Sequence, residues 1–285
     1  MNQKTTDFVS YWHKIDDQVS SLSNSTVTME EISLRSNELS TIYGLSIKSI
    51  DGFSLFAYYS EPKGEGPFPA ILMTPSYASV TGVPPLNRRE SNIVLAVCAR
   101  GQRLSNANYQ SEFPGLLTDK IDDPINYPYR GISADCLRAL DVLFSMDKVD
   151  PENVAVVGLG EMPFLVSSLR PNVKVVMTET PFLFNNPFEN LKLSTDYPLE
   201  EYADYLREHP DKLSQAVDTV SLFSPLAHCS EVKAITRISC SNNEIEDVSM
   251  VSSLISGETD IYIKTGRGYI DRNSSEDWLQ SNLRS

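Results

Sequence analysis

The chain has 285 residues, of which 41% are hydrophobic and 22% are charged, a composition typical of folded globular proteins and not of disordered ones. Its 38 acidic and 24 basic residues give a formal net charge of −14. An acidic surface repels the phosphates of nucleic acids and of anionic lipids, so the charge argues against nucleic acid or a membrane surface as a partner.

The start of the chain and its cysteines indicate the expected compartment. Residues 1–14 are polar and lack the apolar segment of a secretory signal, and no run reaches the roughly 20 apolar residues that span a bilayer. The four cysteines, Cys98, Cys136, Cys229 and Cys240, are scattered without a C-x-x-C pair, so neither a metal nor a redox site is expected. We therefore predict a cytoplasmic protein without a cofactor.

The first part of the chain predicts a helix, a hairpin and two buried strands. Residues 7–22 carry apolar side chains at helical spacing. The pair Asp51-Gly52 lies between two strand-like runs, and this dipeptide favours a hairpin turn. Residues 69–74 and 92–98 are short continuous apolar runs, which are typical of buried parallel strands.

The remainder of the chain alternates between helices and strands. Helices are predicted over residues 131–145, over residues 200–217 in two pieces that break at Pro210, and around Trp278. Strands are predicted over residues 154–157, 173–179, 234–240 and 260–265. Together with the N-terminal helix and antiparallel hairpin, this alternation predicts one α/β domain over residues 1–285. Its sheet is expected to be doubly wound and mostly parallel.

Residues 154–165, VAVVGLGEMPFL, have the pattern of a nucleophile elbow. In α/β-hydrolases a short apolar strand leads into a turn of sequence G-x-S-x-G and then into a helix, and the serine of that turn attacks the substrate. In this chain the serine position is Gly160. The pattern therefore predicts the architecture of the elbow without its nucleophile.

Several stretches in addition to the elbow resemble the acetyl xylan esterases and cephalosporin C deacetylases, carbohydrate esterase family 7 of the α/β-hydrolases. They are DFVSYW (7–12), SIDGFSLFAYYSEPKGEGPFPAILM (49–73), ARGQ (99–102), PGLLTDKIDDPINYPYRG (114–131), DPENVAVVG (150–158), TETPFL (178–183) and YLREHPDKLSQAVDTVSLFSPL (205–226). The resemblance implies an α/β-hydrolase fold and an ancestral activity of serine-dependent removal of acetyl groups from small carbohydrate esters. It also implies a homo-oligomer, commonly a hexameric ring.

The resemblance assigns the three catalytic positions of the family to residues of other chemistry. The serine falls on Gly160, the acid on Glu244 (with Glu246 and Asp247 as alternatives), and the histidine on Arg267. Glycine has no side-chain oxygen, and arginine stays protonated at neutral pH, so neither can perform the role of its counterpart. We expect Glu244 and Arg267 to form an ion pair that fills the old site.

The histidine content supports the same conclusion without an alignment. The chain has three histidines, His13, His209 and His228. In α/β-hydrolases the triad follows the order serine, acid, histidine, yet no histidine follows the strand predicted at residues 234–240. Ser76 could be imagined as a substitute nucleophile, but without a histidine to activate it we interpret it as a turn residue.

Part of the oxyanion hole is expected to remain. The resemblance assigns its two backbone N–H donors to Tyr77 and to Glu161, the residue after the missing serine. A ligand could bind at Tyr77, Gly160 and Arg267 in the room left by the absent serine side chain. We interpret the family-like residues Asp122, Asp123, Glu179 and Arg100 as scaffold around this pocket.

We therefore expect a catalytically inactive acetyl xylan esterase-like protein, or pseudoenzyme, that acts by binding or by assembly. Its partners would be further copies of itself or an active paralogue, with a small molecule as a ligand. Two alternatives stay open: a divergent carbohydrate deacetylase with weak or unorthodox activity, and a sensor of small anions that uses Arg267.

Overall fold

The computed structural model describes residues 6–77, 80–106, 109, 115–185 and 197–284. The strands are β1 Thr28–Glu31, β2 Ser40–Lys48, β3 Ser54–Pro62, β4 Phe68–Met73, β5 Ile93–Cys98, β6 Val149–Val157, β7 Val175–Glu179, β8 Ile235–Cys240 and β9 Thr259–Ile263. The α-helices are α1 Thr6–Ser20, α2 Leu86–Arg89, α3 Pro128–Phe144, α4 Met162–Leu169, α5 Glu200–Glu208, α6 Leu213–Ser221, α7 Pro225–His228, α8 Ile245–Ser252 and α9 Gly268–Leu283.

All the strands belong to one sheet in the order β1-β2-β3-β5-β4-β6-β7-β8-β9. The pairs from β1 to β5 are antiparallel, and those from β5 through β4 to β9 are parallel. The predicted mostly parallel α/β sheet with an antiparallel hairpin is therefore confirmed. Because β6, β7 and β8 are adjacent and parallel, their carboxyl ends meet at one edge of the sheet, where α/β proteins bind their ligands.

The two faces of the sheet are covered by different helices, which explains the continuous apolar runs. In β4, Ala70 and Leu72 belong to the core shared with α1, α3 and α4, whereas Ile71 belongs to a second core closed by Leu279 and Leu283 of α9. All residues of β5 are buried. A strand that is covered on both faces needs apolar side chains at every position, as the sequence predicted.

The hairpin turn follows from residues that tolerate a left-handed backbone. Asp51 and Gly52 have φ values of 59° and 71°, which glycine and aspartate adopt at little cost. The Ser49 N–H donates to the Phe53 carbonyl at 2.9 Å, and Lys48 pairs with Ser54 across the strands. The predicted hairpin is confirmed.

Several elements differ from the prediction, among them the helices α2, α7 and α8, which the sequence pattern did not indicate. The strand β1 was not predicted, because its four residues are all exposed and so show no alternation of apolar and polar side chains. The helix α9 begins at Gly268, before the segment around Trp278 that signalled it. No helix in the described part of the chain is both long and apolar enough to cross a membrane.

Candidate functional site

The elbow has the predicted strand–turn–helix form, between β6 and α4. Gly160 lies in the turn with a φ of 68°, a conformation that residues with a side chain adopt only with strain. Its N–H donates to the Glu179 carbonyl at 2.6 Å, and its own carbonyl accepts from the Thr178 hydroxyl at 2.7 Å. Both contacts hold the turn against the end of β7.

The space that a side chain at position 160 would need is occupied. A Cβ atom built on Gly160 would lie 2.8 Å from the Pro181 carbonyl oxygen, closer than carbon and oxygen normally approach. The expectation that the absent serine side chain leaves room for a ligand is therefore wrong at the Cβ position itself. The segment after β7 therefore packs closely against the turn.

Glu161 directs its carboxyl group into the protein. The side chain belongs to a residue that is only 4% exposed, and its Oε2 accepts from the Leu183 N–H at 2.9 Å. The N–H groups of Phe184 and of Glu161 itself also donate to this carboxyl group. Burial nevertheless raises its pKa from 4.5 to about 8, because these three donors only partly offset the loss of water. The N–H that was expected to serve an oxyanion hole is thus already used by Glu161's own carboxyl group.

Tyr77 lies across from the elbow and contacts a carboxylate that the sequence had not indicated. Its hydroxyl donates to Glu201 of α5, and the second oxygen of Glu201 accepts from the Leu117 N–H at 3.2 Å. Burial and the neighbouring carboxylate raise the pKa of Tyr77 well above its ordinary value. Tyr77 therefore stays protonated and serves as a hydrogen-bond donor.

A cavity of about 470 Å³ connects these groups. We call it the elbow cavity, and it is lined by Tyr77, Tyr129, Gly160, Glu161 and further residues, among them Leu116, Ile132, Met162, Leu183 and Tyr197. The structure thus brings together three of the predicted site residues, Tyr77, Gly160 and Glu161. Its volume is within the range of small-molecule sites.

A second cavity of about 590 Å³ lies on the other side of the elbow, at the carboxyl ends of β4, β6, β7 and β8. It is lined by Glu179, Ser239, Lys264 and the first residues of α9, and it shares Ser76 and Leu159 with the elbow cavity. Two ion pairs belong to its lining, Lys264 with Glu179 at 3.1 Å and Arg88 with Glu276 at 2.5 Å. These four charges are therefore neutralised within the cavity wall.

The side chain of Glu244 forms local hydrogen bonds with Ser241. Its Oε2 accepts from the Ser241 N–H at 2.7 Å and from the Ser241 hydroxyl, which completes a capping box. Burial opposes ionisation, but the hydrogen bonds from Ser241 outweigh it and hold the pKa of Glu244 below its ordinary value. The alternative acids Glu246 and Asp247 lie exposed on α8.

Arg267 lies apart from the elbow. It is exposed at the start of α9, and its backbone N–H donates to the Thr265 hydroxyl at 3.2 Å. Among the described residues its side chain forms no ion pair, and it lines neither cavity. The expected ion pair between Glu244 and Arg267 is therefore absent, and Arg267 does not join Tyr77 and Gly160 in a common ligand site.

The three histidines all lie outside both cavities. His228 is buried between Phe8 and Trp12, with each ring centroid 5.1 Å away. Its Nε2 donates to the Leu222 carbonyl at 3.0 Å, and its Nδ1 is hydrogen-bonded to the Ser168 hydroxyl at 3.1 Å. It is a core residue, whereas His13 and His209 are exposed.

The residues that were interpreted as scaffold have structural partners. Arg100 donates to Asp135 of α3 through Nε at 2.9 Å and Nη2 at 3.1 Å, and its guanidinium lies 4.3 Å from the centre of the Phe53 ring. Asp122 forms an ion pair with Lys212 at 2.9 Å. These contacts join loops to helices and leave the side chains to structural roles.

The sequence did not indicate a role for Tyr129, which lines the elbow cavity, or for Glu201, which contacts Tyr77 at its wall. Tyr129 belongs to a family-like stretch, and Glu201 belongs to a polar helix. They lie on α3 and α5, which are far apart in the sequence. The proline that precedes Tyr129 at the start of α3 was the one local signal that this residue begins a helix.

The sheet and the elbow define an α/β-hydrolase. The sequence matches the acetyl xylan esterase (AXE1) family over residues 1–246, so the chain belongs to that family. The match includes Gly160 and Glu244 and ends before Arg267.

The relatives agree with this assignment. The acetyl esterase Axe7A of Xylanibacter ruminicola is 25% identical over 195 residues, which are 62% of this chain and 44% of that protein. The chain thus matches less than half of the relative's length. The structure is also similar to the acetyl xylan esterase of Paenibacillus sp. R4, with a TM-score of 0.85 and 22% identity over 98% of this chain and 96% of that one. For acetyl xylan esterase 1 of Thermoanaerobacterium sp. JW/SL YS485 the TM-score is 0.79, with 21% identity over 98% and 95%.

Proposed function

We propose that this chain is a non-hydrolytic member of the acetyl xylan esterase family, which acts by binding a small molecule or by assembly. The observation that carries the proposal is the elbow itself. Gly160 offers no nucleophile, and the Pro181 carbonyl oxygen lies 2.8 Å from the position that a Cβ atom would take. Serine-dependent transfer of an acetyl group needs an oxygen at this position and has none.

The absence of a general base supports the same proposal. Each of the three histidines lies outside the cavities, and the buried one is held by two hydrogen bonds in the core. Ser76 lines both cavities, but no histidine lies near enough to take its proton. The position of Arg267 gives no support to the alternative of an anion sensor.

The test is the release of acetate from 4-nitrophenyl acetate and from an acetylated xylo-oligosaccharide by the purified protein. Arg267→Ala serves as a control that leaves both cavities unchanged. We expect no saturable turnover above buffer from either protein. Saturable turnover that is lost in Ser76→Ala would overturn the proposal and would identify the nucleophile. The oxyanion hole alone can leave traces of activity, so only saturable kinetics count.

Assembly as a homo-oligomer, a hexamer by resemblance to the family, is a separate part of the proposal. It is supported by membership of the family and by the compact sheet that the chain shares with the solved esterases. Light scattering coupled to size-exclusion chromatography tests it directly. A strictly monomeric protein at micromolar concentration would remove assembly from the proposed function and leave small-molecule binding.

A further inference from the structure

We propose that the elbow cavity binds an organic cation, a small ammonium group carried on an apolar body. The inference rests on the proposed function, because it names the ligand class of the same cavity. It follows from three features: carboxyl groups without ion pairs, walls of aromatic and apolar side chains, and a tyrosine hydroxyl that is open to the cavity and makes no hydrogen bond to the described residues.

The first feature is a pair of carboxyl groups without a basic partner. Glu161 lines the cavity, and Glu201 contacts Tyr77 at its wall. Within the described ranges neither carboxyl group forms an ion pair. Arg100 belongs to the lining, but its Nε and Nη2 donate to Asp135. The charge of Arg100 is thus compensated, whereas Glu161, whose raised pKa means that it ionises only near pH 8, has no cation beside it when it becomes charged.

The second feature is the chemistry of the walls. Tyr77 and Tyr129 present aromatic rings to the cavity, and Leu116, Ile132 and Leu183 add apolar surface. A cation that has lost its water is attracted to the face of an aromatic ring. Aromatic rings next to uncompensated carboxylates therefore favour ammonium groups over neutral ligands of the same shape.

The third feature is the Tyr129 hydroxyl. Tyr129 is 5% exposed, and among the described residues its hydroxyl makes no hydrogen bond. Its ring is fixed between Phe184, with ring centroids 4.6 Å apart, and Tyr127, with ring centroids 5.5 Å apart. The hydroxyl oxygen is not one of the fully buried atoms without a partner, so it is open to the cavity, where a bound molecule can hydrogen-bond to it.

Anions are disfavoured by the same groups. The N–H of Glu161, which would stabilise an oxyanion, donates to Glu161's own carboxyl group, and the N–H groups of Leu183 and Phe184 do the same. An entering carboxylate would have to displace that carboxyl group and then lie beside it. Repulsion between like charges in a buried site makes this costly.

The experiment compares choline with its neutral isostere 3,3-dimethylbutan-1-ol and with acetate. Thermal shift and titration calorimetry are run at pH 9, where Glu161 is mostly ionised, at ionic strength matched with sodium chloride. We expect choline to raise Tm and the isostere and acetate to have no effect. Glu161→Gln should weaken choline binding about tenfold or more, because it removes the charge and keeps the shape.

Two variants sharpen the test. Glu246→Gln removes the same charge from the exposed face of α8 and should bind choline like the unchanged protein. Glu201→Gln removes the second carboxylate and should weaken binding even where Glu161→Gln fails to fold. The comparison of choline with its isostere on the unchanged protein needs no variant at all.

The outcomes separate this inference from the proposed function. Equal stabilisation by the isostere, binding of acetate in place of choline, or no stabilisation by any of the three would overturn the inference. Turnover of 4-nitrophenyl acetate, measured on the same preparation, bears only on the loss of hydrolysis. Turnover together with choline-specific stabilisation would therefore refute the proposed function and leave the cation site standing.

Discussion

The buried carboxyl group of Glu161 makes the stability of this protein depend on pH in a defined direction. Its pKa is raised from 4.5 to about 8 in the folded protein, so folding favours the protonated form. Stability from this group is fully present below about pH 4.5 and is lost as pH rises through about 8. At about 1.4 kcal/mol for each pH unit, the complete loss is about 5 kcal/mol.

Replacing Glu161 with glutamine removes this dependence. The amide oxygen can still accept from Leu183, while the loss of the second acceptor leaves another buried N–H poorly satisfied and destabilises by about 1–3 kcal/mol. The variant should therefore be less stable than the unchanged protein at pH 5 and more stable at pH 9. The difference in unfolding free energy between the two proteins should change by about 4 kcal/mol over this interval.

The groups around Glu161 do not disturb the prediction. The hydroxyl groups of Tyr127, Tyr129 and Tyr202 are nearby, and burial raises the pKa of each well above its ordinary value. They stay neutral up to pH 9 and beyond. Glu201 is the other carboxyl group on this side of the cavity, and it is present in both proteins, so its contribution cancels in the difference.

The measurement is urea unfolding at pH 5, 7 and 9, with Glu246→Gln as the exposed control that should follow the unchanged protein at each pH. The contrary result is a difference in unfolding free energy between Glu161→Gln and the unchanged protein that changes by less than about 1 kcal/mol from pH 5 to pH 9. That result would mean that the carboxyl group is not held in its protonated form. In that case the reasoning about its burial is refuted.

Three further predictions concern single residues. Gly160→Ser should lose about 1–3 kcal/mol of unfolding free energy, from the left-handed φ of 68° and the contact with Pro181, and it should not gain acetate release. Family-like turnover by this variant would contradict the assignment of the missing base. Arg267→Ala should change the unfolding free energy by less than about 0.5 kcal/mol, because the side chain is exposed; a larger loss in urea unfolding would show an overlooked contact. Asp135→Asn should destabilise by about 3–5 kcal/mol, because Asp135 is 0% exposed and holds Arg100; a loss near zero would mean that Arg100 finds another partner.

Patterns that act over a few neighbouring residues predicted most of the fold. The Asp51-Gly52 turn, the apolar run of β5 and the glycine of the elbow each follow from local conformational preference or from burial on both faces. The edge strand β1 was not predicted, because all four of its residues are exposed. Exposed strands are specified by pairing with a neighbour, here with β2, and pairing leaves no trace in hydrophobic periodicity.

The site was less predictable, because its contacts join distant segments. Resemblance to the family predicted a catalytic position at Arg267, yet the surroundings of this residue depend on how α9 begins. The carboxyl group of Glu161 turned out to bind N–H groups more than 20 residues away, at Leu183 and Phe184. Such contacts depend on the path of the loop after β7, which no local pattern in the sequence specifies.

The contact between Gly160 and the Pro181 carbonyl has a consequence for how a serine could arise in the elbow. One nucleotide change turns some glycine codons into serine codons, so a serine at position 160 is genetically close. A Cβ atom there would lie 2.8 Å from the Pro181 carbonyl oxygen, so the new side chain would strain the loop after β7. An accommodated serine therefore requires a second change that moves this loop, and the evolutionary path to it takes at least two steps.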